Sequence, residues 1–315
     1  MSTGEGGTEL TDTTQRWTRH VVAETTADDL GPPQSPRQRF WRRFRRQRPA
    51  VLALLFLLLL TAIAVFAPLL APADPDDQNL RNVLAVPGAD GYLLGTDQFG
   101  RDMLSRMLVA SRISLLAAVE AVGVAVVLGV PLGLVGAYLG GRFDRWVVRL
   151  ADAFMSFPPL ILAVAIVAAR GPGLTNAMFA VGLVTAPRLL RLVRSSVLSV
   201  REETYIEAAR SIGTPAGRII RRHVLPNVLS PLLVQLSLVA AFAMLAEATL
   251  SFLGLGVVPP QASWGSMLQE GARFVSLAPH LVVLPGVAIA LTVLAFNVLG
   301  DGLRDSLGRE IRSGR

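Results

Sequence analysis

The chain has 315 residues, 52% of them hydrophobic, and a mean hydropathy of +0.50, a value that soluble domains rarely reach. It contains no Cys, which excludes disulfides and thiolate-held metals, and its three His (His20, His223, His280) are too scattered to suggest a metal cluster. The net charge of +7 rests on 30 basic residues that are all Arg and lie beside apolar stretches, the pattern of a membrane protein rather than of a nucleic-acid binder. With no Lys, the chain cannot build a Walker A loop, so any ATP it works with is bound by another polypeptide.

Residues 1–36 are polar, lack apolar periodicity and read as a disordered tail. The basic run RQRFWRRFRRQR (Arg37 to Arg48) then precedes an apolar run from Ala50 to Leu70. A basic flank and the APA at 71–73 resemble a signal peptide and its cleavage site. The run nevertheless has 21 residues, enough to cross a bilayer, so an uncleaved first span is expected. A polar loop at 73–112 follows, carrying Asp74, Asp76, Asp77, Asp90, Asp97 and Asp102. Further spans are expected at about 114–138, 151–169, 174–190, 228–252 and 281–299, which makes an all-α membrane protein of six helices. The 174–190 span is short and ends in Arg188 and Arg191, which must snorkel toward an interface. Gly129/Gly133 and Gly136/Gly140 either allow a close helix approach or reflect the general frequency of Gly in membrane helices.

Six spans put 24 of the 30 Arg on one side, with both termini; only Arg81, Arg101, Arg106, Arg112, Arg170 and Arg273 fall on the other. Positive charge stays inside, so both termini are expected to be cytoplasmic.

On that side lies EAARSIGTPAGRIIRRHVLPN, Glu207 to Asn227. Residues 201–211 read as a helix with acidic residues in its first turn. Gly213 suits a C-terminal cap at positive φ. Thr214 is expected to cap a second helix that starts at Pro215 and ends at Pro226. Arg218, Arg221 and Arg222 fall on one face of it. Such an elbow either docks a partner that approaches closely over Ala208 and Ala209, or lies on anionic lipid with Arg anchors.

The spacing Glu207-Ala208-Ala209, Gly213, Leu225-Pro226 resembles the EAA loop of ABC-importer permeases, E-A-A-x3-G-x9-I-x-L-P, with His223 standing where that pattern has Ile. LLGTDQFGRDMLSRMLVASRISL (93–115) and AEATLSFLGLGVVPPQASWGSML (246–268) are similar to segments of dipeptide, oligopeptide and nickel permeases. The likeness covers about residues 40–305 and fits the second, six-span permease subunit of such importers. The resemblance implies a type I importer permease fold. A basic flank, first span and outer loop would occupy 37–110, and a transmembrane domain 111–303, with its coupling loop at 201–227 and a cytoplasmic tail at 304–315. It further implies a homologous second permease, one or two ATPase subunits that hold the ATP and Mg, and an extracytoplasmic substrate-binding protein. No cofactor, metal or nucleic acid is implied for this chain. Its expected activity is peptide import across the bacterial cytoplasmic membrane. Import of nickel or another small solute, and ion-coupled carriage, are the alternatives.

Glu120 and Glu247 lie within apolar runs, and a carboxylate in lipid is costly. Each either lines the passage or packs between helices. Asp152 and Asp301 read as capping or solvated residues near the inner boundary. GTDQFGRD follows no strand and its Asp residues have no evident metal partners, so its Gly and Asp read as turn formers. With no HExxH, and with His223 and His280 outside the spans, no catalytic residue is expected.

Overall fold

The computed structural model describes residues 36–307, so the tail expected at 1–36 lies outside the described residues but for Pro36, and the one expected at 304–315 is described only to Leu307, where it continues the last helix. Contacts divide the chain after Arg43. The described part of the first unit is the start of a basic helix, α1 (Pro36–Arg46), on which Phe40 and Trp41 stack at 6.3 Å.

The second unit begins at Phe44, in the last turn of α1, and continues into α2 (Arg48–Leu70). It buries Ala50, Ala53, Leu57, Leu60, Ala64 and Ala67, which recur at alternate steps of three and four and so form one helical stripe. Leu52, Leu55, Leu59, Phe66 and Leu69 point outward, as a lipid-facing surface does. A loop at 71–102 leads into α3 (Met103–Leu139), whose N-terminus is capped by the Asp102 carboxylate accepting from Ser105 N. Among the described residues the one β pairing is an isolated bridge between Thr96 and Asp102 in that loop.

The third span departs from expectation. In place of one helix over 151–169 there are two, α4 (Gly141–Met155) and α5 (Pro159–Arg170), bent by 92°. The cause is local: Pro158 and Pro159 lack N–H groups, and the ring of each disfavours helix in the residue before it. With 12 residues, α5 reaches about 18 Å, short of a full crossing. Among the described residues five helices are thus long and apolar enough to span, or six spans if the bent pair is counted as one.

The expected fourth span is longer than its apolar run. α6 (Leu174–Arg201) continues past Arg188, because its arginines find partners along the way. Arg191 pairs with Asp152, the Arg194 guanidinium donates twice to Asp144 at 2.8 and 2.7 Å, and Arg188 lies 5.9 Å from the Phe242 ring. α7 (Thr204–Ser211) and α8 (Ala216–Ile219) follow, then a π-helical turn (Ile220–Val224), α9 (Leu225–Phe252), α10 (Trp264–Ala272) and α11 (His280–Leu307).

α3 runs along α6 with no room for side chains at the crossing. A Cβ on Gly129 would stand 2.6 Å from Ala186 O, one on Gly133 2.7 Å from Leu190 O, and one on Gly182 2.5 Å from Val124 Cβ. The pair Gly129/Gly133 therefore serves close helix approach. Gly140 does something else: it ends α3 at φ +70°.

At the opposite end from the elbow, the 71–102 loop is strapped to α10. Arg101 Nε donates to Asp97 at 2.6 Å and Arg101 NH2 to Glu270 at 2.9 Å. Gln98 donates to the same Glu270 oxygen at 3.0 Å, and Arg106 lies 3.5 Å from Asp97, Glu270 and Asp76. Arg106 is only 2% exposed, so these contacts replace most of its solvation.

Candidate functional site

The segment from Glu207 to Asn227 folds as an elbow that is anchored on one side and bare on the other. Ile206, Ile219 and Val224 are fully buried in a cluster with Leu189, Val193 and Val197 of α6 and Val228 of α9. Glu207, Ala208, Ser211, Gly213, Arg218, Arg221, Arg222 and Pro226 are exposed, Ala209 and Leu225 are half-buried, and Ile212 is 83% exposed at the tip. An isoleucine so exposed, outside the spans, is a feature of surfaces that meet a partner.

The turn is a Schellman motif. Gly213 N donates to Arg210 O at 2.9 Å and Thr214 N to Ala209 O at 3.0 Å, which satisfies the last carbonyls of α7. The motif needs a left-handed residue, and Gly213 has φ +73° with no atom near its missing Cβ. Two local expectations shift. The cap of α8 is Pro215 rather than Thr214, and no side-chain hydrogen bond is made there. Pro226 does not end the helix; it sits in the first turn of α9, just after the π turn. The π turn explains why. Leu225 N reaches back five residues to Ile220 O, so the ladder has already changed register where the proline ring needs space. Asn227 Nδ2 donates to His223 O at 2.7 Å, taking up a carbonyl freed by the disturbance.

His223, at the departure from the EAA pattern, packs its ring on Tyr205 at 5.9 Å. Burial and the nearby Glu203 charge push the Tyr205 phenol above its ordinary range, so it stays neutral and accepts from Asn227 Nδ2 at 3.4 Å. Arg201 donates to Ala137 O and Tyr138 O at the end of α3, and the Arg210 guanidinium lies 5.4 Å from the Tyr138 ring. The elbow is thereby tied to α3, α6 and α9 together.

Among the described residues neither intramembrane carboxylate forms an ion pair or hydrogen bond with the elbow or with the other. Glu247 is 1% exposed, accepts from Ser251 Oγ at 2.7 Å, and lies where α10 crosses α9 closely, Gly265 being set against Ala248. Glu120 is half-buried and borders an apolar cleft of about 520 Å³ with Thr175 and Phe179 of α6. A larger apolar groove of about 890 Å³ runs between α2, α3, α9 and α11. No cluster of three or more His, Cys, Asp or Glu able to hold a metal occurs among the described residues.

Sequence reading missed the Asp97–Arg101–Arg106–Glu270 network. Asp97 was assigned to a turn, a role it also fills, since its carboxylate accepts from Phe99 N and Arg101 N. Glu270, which shares Arg101 and Arg106 with Asp97, is 173 residues further along the chain, and no local pattern joins the two.

Comparison with known proteins gives a consistent picture. Residues 129–313, more than half of the chain, match the family described as binding-protein-dependent transport system inner membrane component. Residues 35–87 match the N-terminal TM domain of oligopeptide transport permease C. The chain is 43% identical over 280 residues to the glutathione transport system permease protein of Pectobacterium atrosepticum, covering 89% of this chain and 93% of that one. It is 40% identical over 303 residues to the dipeptide transport system permease protein of Alkalihalophilus pseudofirmus, covering 94% and 99%. A solved structure of the MetNI methionine ABC transporter in an inward-facing conformation shares the fold, with a TM-score of 0.52 at 22% identity over 62% of this chain and 93% of that one.

Proposed function

The chain belongs to the binding-protein-dependent transport system inner membrane components, and from that premise we propose that it is the non-catalytic permease subunit of an ATP-driven peptide importer. The observation that carries the reading is the one-sided elbow. Three buried apolar anchors hold it to the bundle, while Glu207, Ala208, Ile212 and Gly213 are presented outward. A surface lying on lipid has no use for a rigid turn of this kind, whereas a helix seated in a groove of an ATPase does. In this reading both termini and the elbow are cytoplasmic. Glu207, Ala208, Ala209 and Gly213 form the docking face, and Leu225 and Pro226 fix its exit into α9.

Closure of the ATPases on ATP and Mg moves the elbow. Ile206, Ile219 and Val224 pass the motion to α6 and α9, and the close α3–α6 contact carries it to the passage. A homologous second permease completes that passage, and an extracytoplasmic binding protein delivers the substrate. Glu120, beside an open cleft, faces the passage or the second permease; Glu247, fully enclosed, holds α9 to α10. Peptides are favoured over nickel chelates because the relatives reported above are named for glutathione and dipeptide transport.

The test is reconstitution with the products of neighbouring genes in proteoliposomes. Uptake of a labelled dipeptide should require ATP and the binding protein; uptake driven by an ion gradient without ATP would overturn the reading. Orientation is tested separately in this Cys-free chain. An impermeant thiol reagent on intact cells should label Gln78→Cys and leave Ser211→Cys untouched, and labelling of the latter would reverse the topology.

A further inference from the structure

α4 follows α3 directly after Gly140, at the Arg-rich end, and is bent 92° from α5. Its two acidic residues are already used: Asp144 binds Arg194 through both oxygens and Asp152 binds Arg191, both on α6. Its own three arginines, Arg142, Arg145 and Arg149, are exposed and have no ion-pair partner among the described residues. With Trp146 they line a concavity of about 200 Å³. The spacing 142, 145, 146 and 149 sets these four on one helical face. Asp144 and the buried Ala151 lie on the opposite face, against the bundle.

The rest of the helix shows where this face sits. Trp146 is 68% exposed, and Phe143 and Leu150 are exposed beside it. At about 100° per residue these three form an apolar strip next to the arginine strip. A bundle-facing strip, an apolar exposed strip and a cationic strip side by side are the arrangement of a helix lying in the headgroup layer. There the apolar strip enters the acyl boundary and the arginines stand at phosphate level. Arg145 Nε donates to Gly141 O at 3.3 Å, and the Arg149 guanidinium lies 5.8 Å from the Trp146 ring, so two of the three are held in place without a neutralising charge.

We propose that the Arg142–Arg145–Trp146–Arg149 concavity binds the phosphodiester headgroup of an anionic phospholipid of the adjoining leaflet. Guanidinium groups offer paired donors that match phosphate oxygens, and Trp146 packs against the glycerol and upper acyl region. The bound lipid holds α4 in the interface, and through the Asp144–Arg194 and Asp152–Arg191 pairs it holds α6, which leads directly to the elbow. The inference rests on the membrane placement of the chain and not on its transport reading, so the two fail separately.

The full chain, purified from membranes with the subunits that accompany it and exchanged into detergent with phosphatidylglycerol and phosphatidylcholine at equal concentration, is examined by native mass spectrometry. The wild type should retain phosphatidylglycerol selectively, and 20 mM inorganic phosphate should not displace it. Arg142→Gln with Arg145→Gln and Arg149→Gln should lower that retention, on the order of fivefold per arginine lost. Should the triple variant fail to assemble, Arg142→Gln with Arg149→Gln, which keeps the Arg145–Gly141 bond, should show a smaller loss in the same direction. Displacement by phosphate would make the site one for free anion and overturn the lipid assignment. Unchanged phosphatidylglycerol retention in an assembled variant would overturn it as well. So would loss of the ATPase subunits without loss of lipid, because the face would then belong to a protein.

Discussion

At the Asp-rich end of the bundle, Arg101 and Arg106 are engaged with Asp97, Asp76 and Glu270; at the Arg-rich end, Arg218, Arg221 and Arg222 face outward with no ion pair among the described residues. The Glu207 carboxylate there likewise has no partner among them. The first region closes its charges on itself and becomes a strap, fastening the 71–102 loop across α3 and α10. The second fastens itself with apolar side chains and leaves its charges and Ile212 for something else to meet. Charge density alone does not separate a structural region from a docking one; what separates them is whether the partners lie within the chain.

The largest effect should come from opening the strap. Arg106→Leu leaves Asp97 and Glu270 with only Arg101 to share, and breaking a buried ion pair costs about 3–5 kcal/mol. Thermal unfolding of the solubilised complex should show a marked fall in Tm, and an unchanged Tm would remove the distinction drawn between the two ends. Gly133→Val tests the α3–α6 contact beneath both ends. With only 2.7 Å between its Cβ and Leu190 O, the helices must separate, at a cost of about 1–3 kcal/mol. Less thermal stability and slower uptake are expected together. Arg221→Leu should be the mildest for stability, within about 0.5 kcal/mol, because that side chain is exposed and has no ion pair among the described residues. A destabilisation as large as that of Arg106→Leu would show that the elbow, too, is closed on itself.

What the sequence disclosed follows the range of the interactions. Spans whose apolar runs exceed 20 residues are set by local composition, and each was placed. The Gly213 turn was legible because a left-handed C-terminal cap is a local demand on one residue. The bent third span was misjudged because apolar residues on α4 and α5 merge into one run, although Pro158 and Pro159 mark the break. Pro226 was read as a terminator because proline usually is one, yet the preceding π turn gives its ring room. The Arg101–Glu270 pair could not be read at all, since 169 residues separate partners that only the tertiary fold unites. Ser263 shows the same limit. It lies in a polar outer segment but is fully buried as the cap of α10, where a substitution would break its reciprocal bond with Ser266.

The central claim is that the outward face of the elbow seats an ATPase. It is tested most directly by measuring the ATPase retained per permease when Glu207→Arg and Gly213→Val complexes are purified alongside wild type. Glu207→Arg reverses a charge that no other described residue engages, so folding should be spared while docking is not. Gly213→Val forces a β-branched residue to φ +73° and turns the second arm of the elbow away. Both variants should insert in the membrane, retain roughly tenfold less ATPase, and lose ATP-driven uptake. Wild-type retention and uptake in both would contradict the account, because an elbow that only rests on lipid with its arginines intact predicts that result.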